Sequence, residues 1–513
     1  MSNPFLNPNR SILLKPKPGN PPRAGNPYNN TYSGILLKAK AKPRVGMDRM
    51  VIGKPPGRQN QTGVPVTIAI FFDGTGNNRN NTAQRHMVQQ NKQEEDGIRR
   101  NDSFPTYGRK KDGSLTNSSY AAGYSNVSIL ERLNIKRELA QRDISLYVEG
   151  IGTTDDQGDD KFGSGLGTKA TGIEGKVKRG VMLLAQRISE ILQLDKKTYV
   201  NQITIDVFGF SRGAAAARHF ISLVNNAKHP LAVRLGAPEA TIIIKFVGVF
   251  DTVSSYGVKG VVLERSNVKE LGLALGGVPK KVVHLTAGNE YRKNFSLTDI
   301  TSSLGVGYEL TLPGVHSNIG GSYGDNEDEA RRLHLWERDA LIAQGWYTKD
   351  EAPVYEAPVY NEYGQQIGTN KWSIGKRTGL DQQYQFIPLR IMAENAKKLG
   401  MDLEALTGRY AKYAIAPTHP LAPVQAAILA KVSGHGSSGR HALVLAGEWG
   451  QIPPNAQVAA LALTPQQAVM LRHCYLRRSA SIGVQGLADG TDRIGMGERR
   501  DENNRPKRKI FPG

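Results

Sequence analysis

An α/β fold with a mainly parallel central sheet is the architecture that the sequence predicts, and three features indicate it. Several short runs, such as residues 66–72 and 242–250, are almost entirely apolar, as expected of strands covered on both faces. Segments with apolar residues at helical spacing lie between these runs, the longest at residues 173–194. Glycine-rich or aspartate-rich turns follow several strands. Strands that alternate with helices favour parallel pairing, because each helix returns the chain to the same edge of the sheet.

The individual elements follow from the same patterns. The predicted strands are residues 66–72, 144–148, 203–208, 242–250, 281–285 and 307–312. The predicted helices before residue 320 are a capped helix at 125–133, the long helix at 173–194 and an alanine-rich helix after residue 212. Further on, the sequence predicts helices within residues 329–344, 388–435 and 455–479, and an inserted loop at 350–370, where EAPVY occurs twice.

Four regions are expected along the chain. Residues 1–62, rich in Pro, Asn, Gly and Lys, predict a disordered basic arm, and residues 63–330 predict the α/β core. Residues 331–480 are expected to form helical insertions and a C-terminal helical region, with the inserted loop near 345–385. A loose, charged tail is expected at 481–513.

The chain is strongly basic, with a net charge of +21 from 67 Lys and Arg residues against 46 Asp and Glu residues. Residues 1–58 contain eleven of the basic residues and a single acidic one. Such ends are either simply solvated or dock on an anionic surface, such as phospholipid headgroups or an acidic partner protein. Nucleic-acid binding is disfavoured, because the basic stretches lack interleaved aromatic residues and no zinc-finger or RNP pattern occurs.

No targeting or membrane segment is evident in the sequence. It has no run of 18 apolar residues and no Sec signal peptide, since MSNPFLNP lacks a basic region followed by an apolar one. The single cysteine, Cys474, excludes an internal disulfide and suits synthesis in a reducing cytosol. We expect a protein made in the cytoplasm and, if exported, exported without a cleaved signal.

The most informative motif is G-x-S-x-G, formed by Gly209, Ser211 and Gly213. A hydrophobic strand precedes it and an alanine-rich helix follows, which is the strand–turn–helix of the nucleophile elbow in an α/β-hydrolase. The two glycines let strand and helix approach closely. Ser322 lies in a second match, but no strand precedes it and an acidic run follows. We therefore predict that Ser211 is a nucleophile; the alternative is a structural turn serine.

A serine nucleophile needs a base and an acid that orients the base. In α/β-hydrolases the order along the chain is serine, acid, histidine. Asp251 directly follows a predicted strand, and His316 lies in a glycine-rich loop after another, so both belong at the edge where the active crevice forms. Asp251 could instead be a turn or capping residue, and His473 is the strongest rival for the role of the base. His219, His284 and Asp206 are more typical of packing positions.

The oxyanion formed during acyl transfer needs backbone donors. The N–H of Arg212, directly after the serine, is one candidate, and Gly74, in the loop after the first strand, is the other. Asp73 and Thr75 are expected to support that loop, as Gly209 and Gly213 support the elbow. A phosphate cradle is the alternative for the loop, although the Gly-Lys-Ser/Thr of a P-loop is missing.

No metal or other cofactor is expected, because the sequence contains no cluster of His or Cys at ligand spacing. The acidic stretch at residues 155–160 could bind calcium, but it lacks EF-hand spacing and is more typical of a solvated loop.

Together these motifs resemble one family, the bacterial lipase effectors of the type VI secretion system, first Tle family. The matching segments are FDGTGN at 72–77, GFSRGA at 209–214, GVFDTV at 248–253 and PGVHSNIGG at 313–321. Weaker matches are HLTAGNEYR at 284–292 and LRHCYLRRS at 471–479. The resemblance covers roughly residues 64–480. This chain departs from it at Asn289 and Asn318, where the family commonly has aspartate.

The resemblance implies a phospholipase of the A1 or A2 type with a Ser–Asp–His triad, carried here by Ser211, Asp251 and His316. It implies membrane phospholipids as substrate, delivery by a VgrG-type secretion spike, action in the periplasm of target bacteria, and neutralisation by an immunity protein. Two other functions stay open from the sequence. One is a soluble esterase or acyltransferase, and the other is a basic scaffold or nucleic-acid-binding protein with a degenerate hydrolase core.

Overall fold

The protein is described from a computed structural model. The residues that it describes are 58, 60–95, 97–101, 119–135, 139–160, 171–254, 267–447, 452–480, 499–502 and 505–513. Nearly all of the basic arm predicted at residues 1–62 lies outside these ranges.

An eight-stranded sheet forms the centre of the described chain, and every neighbouring pair of its strands is parallel. From one edge to the other its strands are β14 (Gln457–Ala460), β13 (Gly439–Val444), β9 (Gly307–Leu312), β7 (Val282–Ala287), β6 (Thr241–Phe250), β5 (Thr198–Phe210), β1 (Thr62–Phe72) and β4 (Asp143–Val148). Parallel strands place their carboxyl ends at one edge, so the turns after β1, β5, β6 and β9 face a common crevice.

Helices cover both faces of the sheet. On one face α3 (Ile173–Leu194) and α4 (Arg212–Ser222) pack in an aliphatic core with side chains such as Ile68 and Ile205. On the other face α2 (Asn126–Leu133), α9 (Phe386–Lys398) and α10 (Ala422–Gly434) pack on a core rich in aromatic rings, among them Phe71 and Phe208, whose centroids are 4.9 Å apart. The predicted parallel sheet covered on both faces is confirmed.

The remaining described helices are short. They are α1 (Arg79–Gln89), α5 (Leu231–Arg234), α6 (Val268–Leu271), α7 (His316–Gly320), α8 (Leu335–Ala343) and α11 (Pro465–Met470). A hairpin of β2 (Glu94–Glu95) and β3 (Ile98–Arg99) follows α1.

The region expected to be helical, residues 331–480, differs from the prediction in two respects. The prediction of an inserted loop at 350–370 is wrong. An antiparallel sheet forms there instead, with its strands in the order β10 (Glu327–Leu333), β12 (Gln366–Leu380) and β11 (Val354–Tyr360). Most side chains of β11 are exposed, so its sequence carries little of the apolar alternation that marks a strand. In addition, β13 and β14 extend the central sheet. The strand β14 is a short, exposed edge strand, so it lacks the apolar pattern of a buried strand, whereas β13 is mostly buried but begins with Gly439, Arg440 and His441, which interrupt an apolar run.

The tail expected at 481–513 is not loose where it is described. Residues 505–513 pack on the body, and β15 (Ile510–Phe511) pairs in parallel with β8 (Leu297–Thr298). The charged composition concealed this contact, because Ile510 and Phe511 are the only strongly apolar pair in the segment.

Candidate active site

Ser211 lies at a sharp turn between β5 and α4. Its backbone has φ 59° and ψ −128°, a combination that few non-glycine residues adopt and that costs about 1–3 kcal/mol. The neighbouring strand helps to hold this conformation, because the N–H of Ser211 donates to the carbonyl of Phe250 at 3.0 Å and its carbonyl accepts from Val253 at 3.2 Å. A strained serine between a strand and a helix is the geometry of a nucleophile elbow.

The two glycines of the motif are required by close approach. A Cβ atom at Gly209 would lie 2.6 Å from the Cα atom of Ala214. A Cβ atom at Gly213 would lie 2.2 Å from the carbonyl oxygen of Asp73 and 2.5 Å from that of Phe72. These distances are far inside van der Waals contact and involve backbone atoms that cannot move aside cheaply. Gly213 therefore lets α4 pack against the end of β1.

Asp251 follows β6 directly, on the strand beside β5. It also has a left-handed backbone, with φ 42°. Its buried carboxylate is surrounded by donors: Oδ1 accepts from the N–H of Ala287 at 2.9 Å, and Oδ2 lies 2.5 Å from Nδ1 of His316. Burial would raise the pKa of Asp251, but Arg508 and His316 hold it far below its ordinary value of 3.8. Asp251 is thus an ionised partner of His316 and not a simple turn residue.

His316 is the first residue of α7, after β9. Its ring packs on Phe210, the residue before Ser211, with centroids 4.6 Å apart, and meets the edge of Phe295 at 4.9 Å. Burial lowers the pKa of His316 below 6.5, although the hydrogen bond to Asp251 acts in the opposite direction. Because Nδ1 faces the carboxylate, Nε2 is the nitrogen left to accept a proton. A neutral histidine beside the elbow suits a general base.

A second carboxylate, Glu290, holds the backbone of His316. Its Oε2 accepts from the N–H of His316 at 3.2 Å, and Ser479 and Arg292 donate to the same carboxylate. Burial would raise the pKa of Glu290, but Arg292 above all, together with Arg508 and His316, brings it to about 2. The sequence analysis did not find this residue, because a glutamate within HLTAGNEYR has no pattern that separates it from a surface residue.

Arg508 is the largest omission of the sequence analysis. Its Nη1 donates to Oδ1 of Asp251 at 2.7 Å, and its Nη2 donates to Oδ2 at 2.8 Å. The guanidinium is buried, and the pair joins residues 257 positions apart. No motif surrounds Arg508; the apolar pair two residues later is the only signal that this segment packs.

Asp73 organises the loop after β1. Oδ1 accepts from Ser125 Oγ at 2.6 Å and from the N–H of Gly74 at 2.7 Å, while Oδ2 accepts from the hydroxyl of Tyr147 at 2.6 Å. Burial raises the pKa of Asp73 in spite of these donors. Since the N–H of Gly74 already donates to Asp73, an oxyanion would have to compete with that carboxylate for it.

The rest of this loop contacts the elbow. Arg212 begins α4, and its Nε donates to Thr75 Oγ1 at 2.9 Å. Burial lowers the pKa of Arg212 to about 10. This hydrogen bond between two side chains therefore links the loop after β1 to the start of α4, beside Ser211.

The rival residues lie in other surroundings. Ser322 also has a positive φ, 91°, but a turn and β10 follow it, not a helix. His473 faces Glu351 at 3.5 Å, and His219 contacts the carbonyl of Leu271 at 2.7 Å. His284 is buried between Glu309 and the N–H of Thr252, and Asp206 pairs with Lys245 at 3.1 Å.

The described residues contain neither a candidate metal site nor a candidate membrane span. Those residues contain no group of three or more His, Cys, Asp or Glu arranged to hold a metal ion. No described helix combines the length and the apolar character needed to cross a bilayer. In the acidic stretch considered for calcium, Asp159 accepts from Ser119 at 2.6 Å and Asp156 from Asn80 at 2.8 Å, so both carboxylates bind the protein itself.

Comparison with known proteins supports the resemblance drawn from the motifs. Residues 232–346 match the family described as T6SS, phospholipase effector Tle1-like, catalytic domain. This stretch contains Asp251 and His316, and the predicted resemblance to the type VI lipase effectors is confirmed there. No curated protein sequence matches the chain.

The solved structures that are similar to this chain include these two. The first is described as the Tle1 effector bound to the VgrG spike from the type 6 secretion system; it is 23% identical, with 91% of this chain and 99% of that chain covered and a TM-score of 0.52. The likeness shows that the two chains share a fold. The second is an uncharacterized protein from Pseudomonas aeruginosa, 16% identical, with 72% of this chain and 51% of that chain covered and a TM-score of 0.39, too distant to support an argument.

The two departures from the family pattern are accommodated locally. Asn289 accepts from the N–H of Gly314 at 2.6 Å. Asn318 accepts from the N–H of Arg477 at 3.0 Å and donates to the carbonyl of Tyr475 at 3.1 Å. An aspartate could not make the last bond while ionised, so Asn318 fits its surroundings through the donor that only an amide has.

Proposed function

We propose that this protein is a serine carboxylic-ester hydrolase that cleaves acyl chains from membrane glycerophospholipids, an A1- or A2-type phospholipase. The observation that carries the proposal is a strained serine on the strand next to a buried Asp251–His316 pair. The serine, the acid and the base follow neighbouring or nearby strand ends, as a nucleophile, an orienting acid and a general base require.

The reaction follows from these roles. Ser211 Oγ attacks the ester carbonyl carbon while His316 Nε2 takes its proton, and Asp251 stabilises the imidazolium that forms. The tetrahedral intermediate collapses as the imidazolium gives its proton to the leaving lysophospholipid oxygen. His316 then deprotonates a water molecule that attacks the acyl-enzyme, and the fatty acid is released with Ser211 restored.

The oxyanion is assigned to the start of α4 and the loop after β1. The N–H of Arg212 follows the nucleophile, and the helix N-terminus adds a partial positive charge there. The second donor comes from the Gly74–Thr75 turn. The N–H of Gly74 already donates to the Asp73 carboxylate. If Gly74 is the second donor, the substrate oxyanion must therefore compete with Asp73 for this N–H.

Phospholipid is the proposed substrate class for two reasons. The family that matches residues 232–346 is described as a phospholipase effector. The net charge of +21 also favours anionic membrane surfaces, since a basic residue near such a surface contributes about 1 kcal/mol.

Delivery by a type VI secretion system completes the proposal. A similar solved structure is a Tle1 effector bound to a VgrG spike, which supports a spike of that type as a partner. An enzyme that cleaves membrane lipids after delivery would act from the periplasm of the target cell, and its producer would need an immunity protein.

The test compares two substrates for the purified full-length protein and its Ser211→Ala variant. Phospholipid vesicles should yield free fatty acid and lysophospholipid, detected by mass spectrometry, at a rate above that for short soluble esters of matched acyl chemistry. Hydrolysis of the soluble esters but not of the vesicles would indicate a soluble esterase and not a phospholipase. No Ser211-dependent hydrolysis of either would remove the enzymatic proposal and favour a basic scaffold on a degenerate core.

A further inference from the structure

The segment at residues 505–513 is fixed against the catalytic crevice by backbone hydrogen bonds. The carbonyl of Lys509 accepts from Leu297 at 2.9 Å, and the carbonyl of Phe511 accepts from Asp299 at 3.0 Å. Gly513 closes the contact, since its N–H donates to Asp299 Oδ1 at 2.9 Å and its carbonyl accepts from Ser302 at 2.7 Å. The position of Arg508 is therefore set by the backbone on its C-terminal side.

The guanidinium itself has a partner on each edge. Nε donates to the carbonyl of Phe295 at 2.7 Å, while the two terminal nitrogens donate to the two oxygens of Asp251. Phe295 is also the residue whose ring lies at 75° to the ring of His316, with centroids 4.9 Å apart. Arg508 thus connects the acid with the ring that packs on the base.

We propose that Arg508 is a positioning residue of the catalytic triad: it locks the Asp251 carboxylate in the rotation that presents Oδ2 to His316, and it sets the basicity of His316. This inference rests on the proposed hydrolase function. A planar guanidinium fork fits a carboxylate in one plane only, so two parallel hydrogen bonds fix the carboxylate plane as well as its place. Among the described residues, a carboxylate without the fork keeps only the N–H of Ala287 on Oδ1 and His316 itself on Oδ2, so no contact independent of His316 fixes the position of Oδ2.

The charge of Arg508 acts in a second way. Oδ2 of Asp251 accepts from both Arg508 and His316, so the negative charge that would stabilise an imidazolium is shared with a permanent cation. Because Arg508 shares this charge, Asp251 stabilises a protonated His316 less strongly. The His316 ring therefore stays neutral down to a lower pH. The other charged groups around the ring are Glu290, which favours the imidazolium, and Arg292, which opposes it.

These two effects separate in a pair of variants. Arg508→Lys keeps the positive charge but cannot form the fork, and Arg508→Gln removes the charge. Lys507→Gln is the matched control, because it removes one positive charge from an exposed neighbouring position of the same segment. Folding of each variant is checked by its thermal unfolding midpoint and by gel filtration, and rates are expressed per folded protein.

Soluble ester hydrolysis is then measured from pH 4.5 to 9, a range chosen to span the ordinary histidine value. We expect Arg508→Gln to lower kcat by about 100-fold with little change in KM, the size of effect that a small misplacement of a catalytic group produces. Its acid limb of kcat/KM should move up by about one pH unit, since a like charge near His316 has gone. Arg508→Lys should lose kcat but keep the wild-type limb, and Lys507→Gln should match the wild type.

An unmoved acid limb in folded Arg508→Gln protein would overturn the claim on the basicity of His316, and wild-type kcat in folded Arg508→Lys protein would overturn the claim that the fork positions Asp251; both results together would assign Arg508 to stability alone. A wild type without esterase activity would overturn the proposed function instead. The inference is still tested in that case by NMR titration of ¹⁵N-labelled histidine, in which the His316 pKa should be higher in Arg508→Gln than in the wild type; equal values would contradict it.

Discussion

The turn that holds Ser211 and the carboxylate of Asp251 lie at the ends of adjacent strands but are held in different ways. The Ser211 turn is also contacted by distant backbone, at Phe250 and Asp73, but the residues that permit it are neighbours in sequence, the glycines on either side and the helix that begins at Arg212. The Asp251 carboxylate is held by residues 36, 65 and 257 positions away, Ala287, His316 and Arg508. A strained turn requires particular residues next to one another, so it can be recognised as a sequence motif. A carboxylate held by distant segments requires single residues that no motif surrounds.

The largest effect is expected at the local turn. Ser211→Ala removes the nucleophile and should lower kcat for ester hydrolysis by up to about a million-fold, as at other triad serines. Ser322→Ala, which alters the second G-x-S-x-G, should retain activity, since no helix follows that serine. Product release from vesicles measures both. Equal losses would show that the strand–turn–helix context does not identify the nucleophile.

His316→Ala should be about as damaging, and the double variant with Ser211→Ala should cost little more, because groups that act as one unit are not additive. His473→Ala is the control, since His473 faces Glu351, in the turn before β11. Burst and steady-state kinetics on a soluble ester would establish the comparison. If His473→Ala were inactive and His316→Ala active, His473 and not His316 would be the general base.

Gly213→Ala tests whether close approach, and not motif convention, requires glycine. The new Cβ would lie 2.2 Å from the Asp73 carbonyl oxygen, so the turn must distort, and we expect a loss of at least about 2 kcal/mol in the free energy of unfolding together with a fall in kcat. Gly277→Ala, where no atom lies within 4 Å of the added Cβ, is the matched control for urea denaturation. Similar unfolding midpoints for the two variants would contradict the packing argument.

The smallest effect concerns the basic arm. Removing residues 1–58 should leave soluble ester hydrolysis nearly unchanged while weakening vesicle binding. Binding of the full chain should rise with phosphatidylglycerol content and fall with salt, because exposed charges are screened. Co-sedimentation with vesicles measures this. Binding that ignores lipid charge would indicate an apolar membrane contact, and loss of folded protein would show that the arm packs into the body.

The same division between local and distant contacts decides what the sequence could predict. The core strands were predicted because burial on both faces makes them apolar, and Ser211, Asp251 and His316 were proposed as site residues because each follows such a strand. The strands at 354–360 and 457–460 were missed because they are exposed and lack that pattern. Glu290 and Arg508 were missed because a charged side chain is expected to be exposed to solvent unless its buried partner is known. Their partners, Ser479 and Asp251, lie 189 and 257 positions away, and no sequence pattern connects residues so far apart.

The central claim is that Ser211 is a nucleophile activated by the Asp251–His316 pair. Labelling with a fluorophosphonate probe, followed by peptide mass spectrometry, tests it most directly, because the adduct forms only on a serine whose proton a base accepts. We predict one adduct, on Ser211, that forms quickly in the wild type and is lost or greatly slowed in His316→Ala. An unlabelled Ser211 in folded wild-type protein, or labelling at the same rate without His316, would contradict the account.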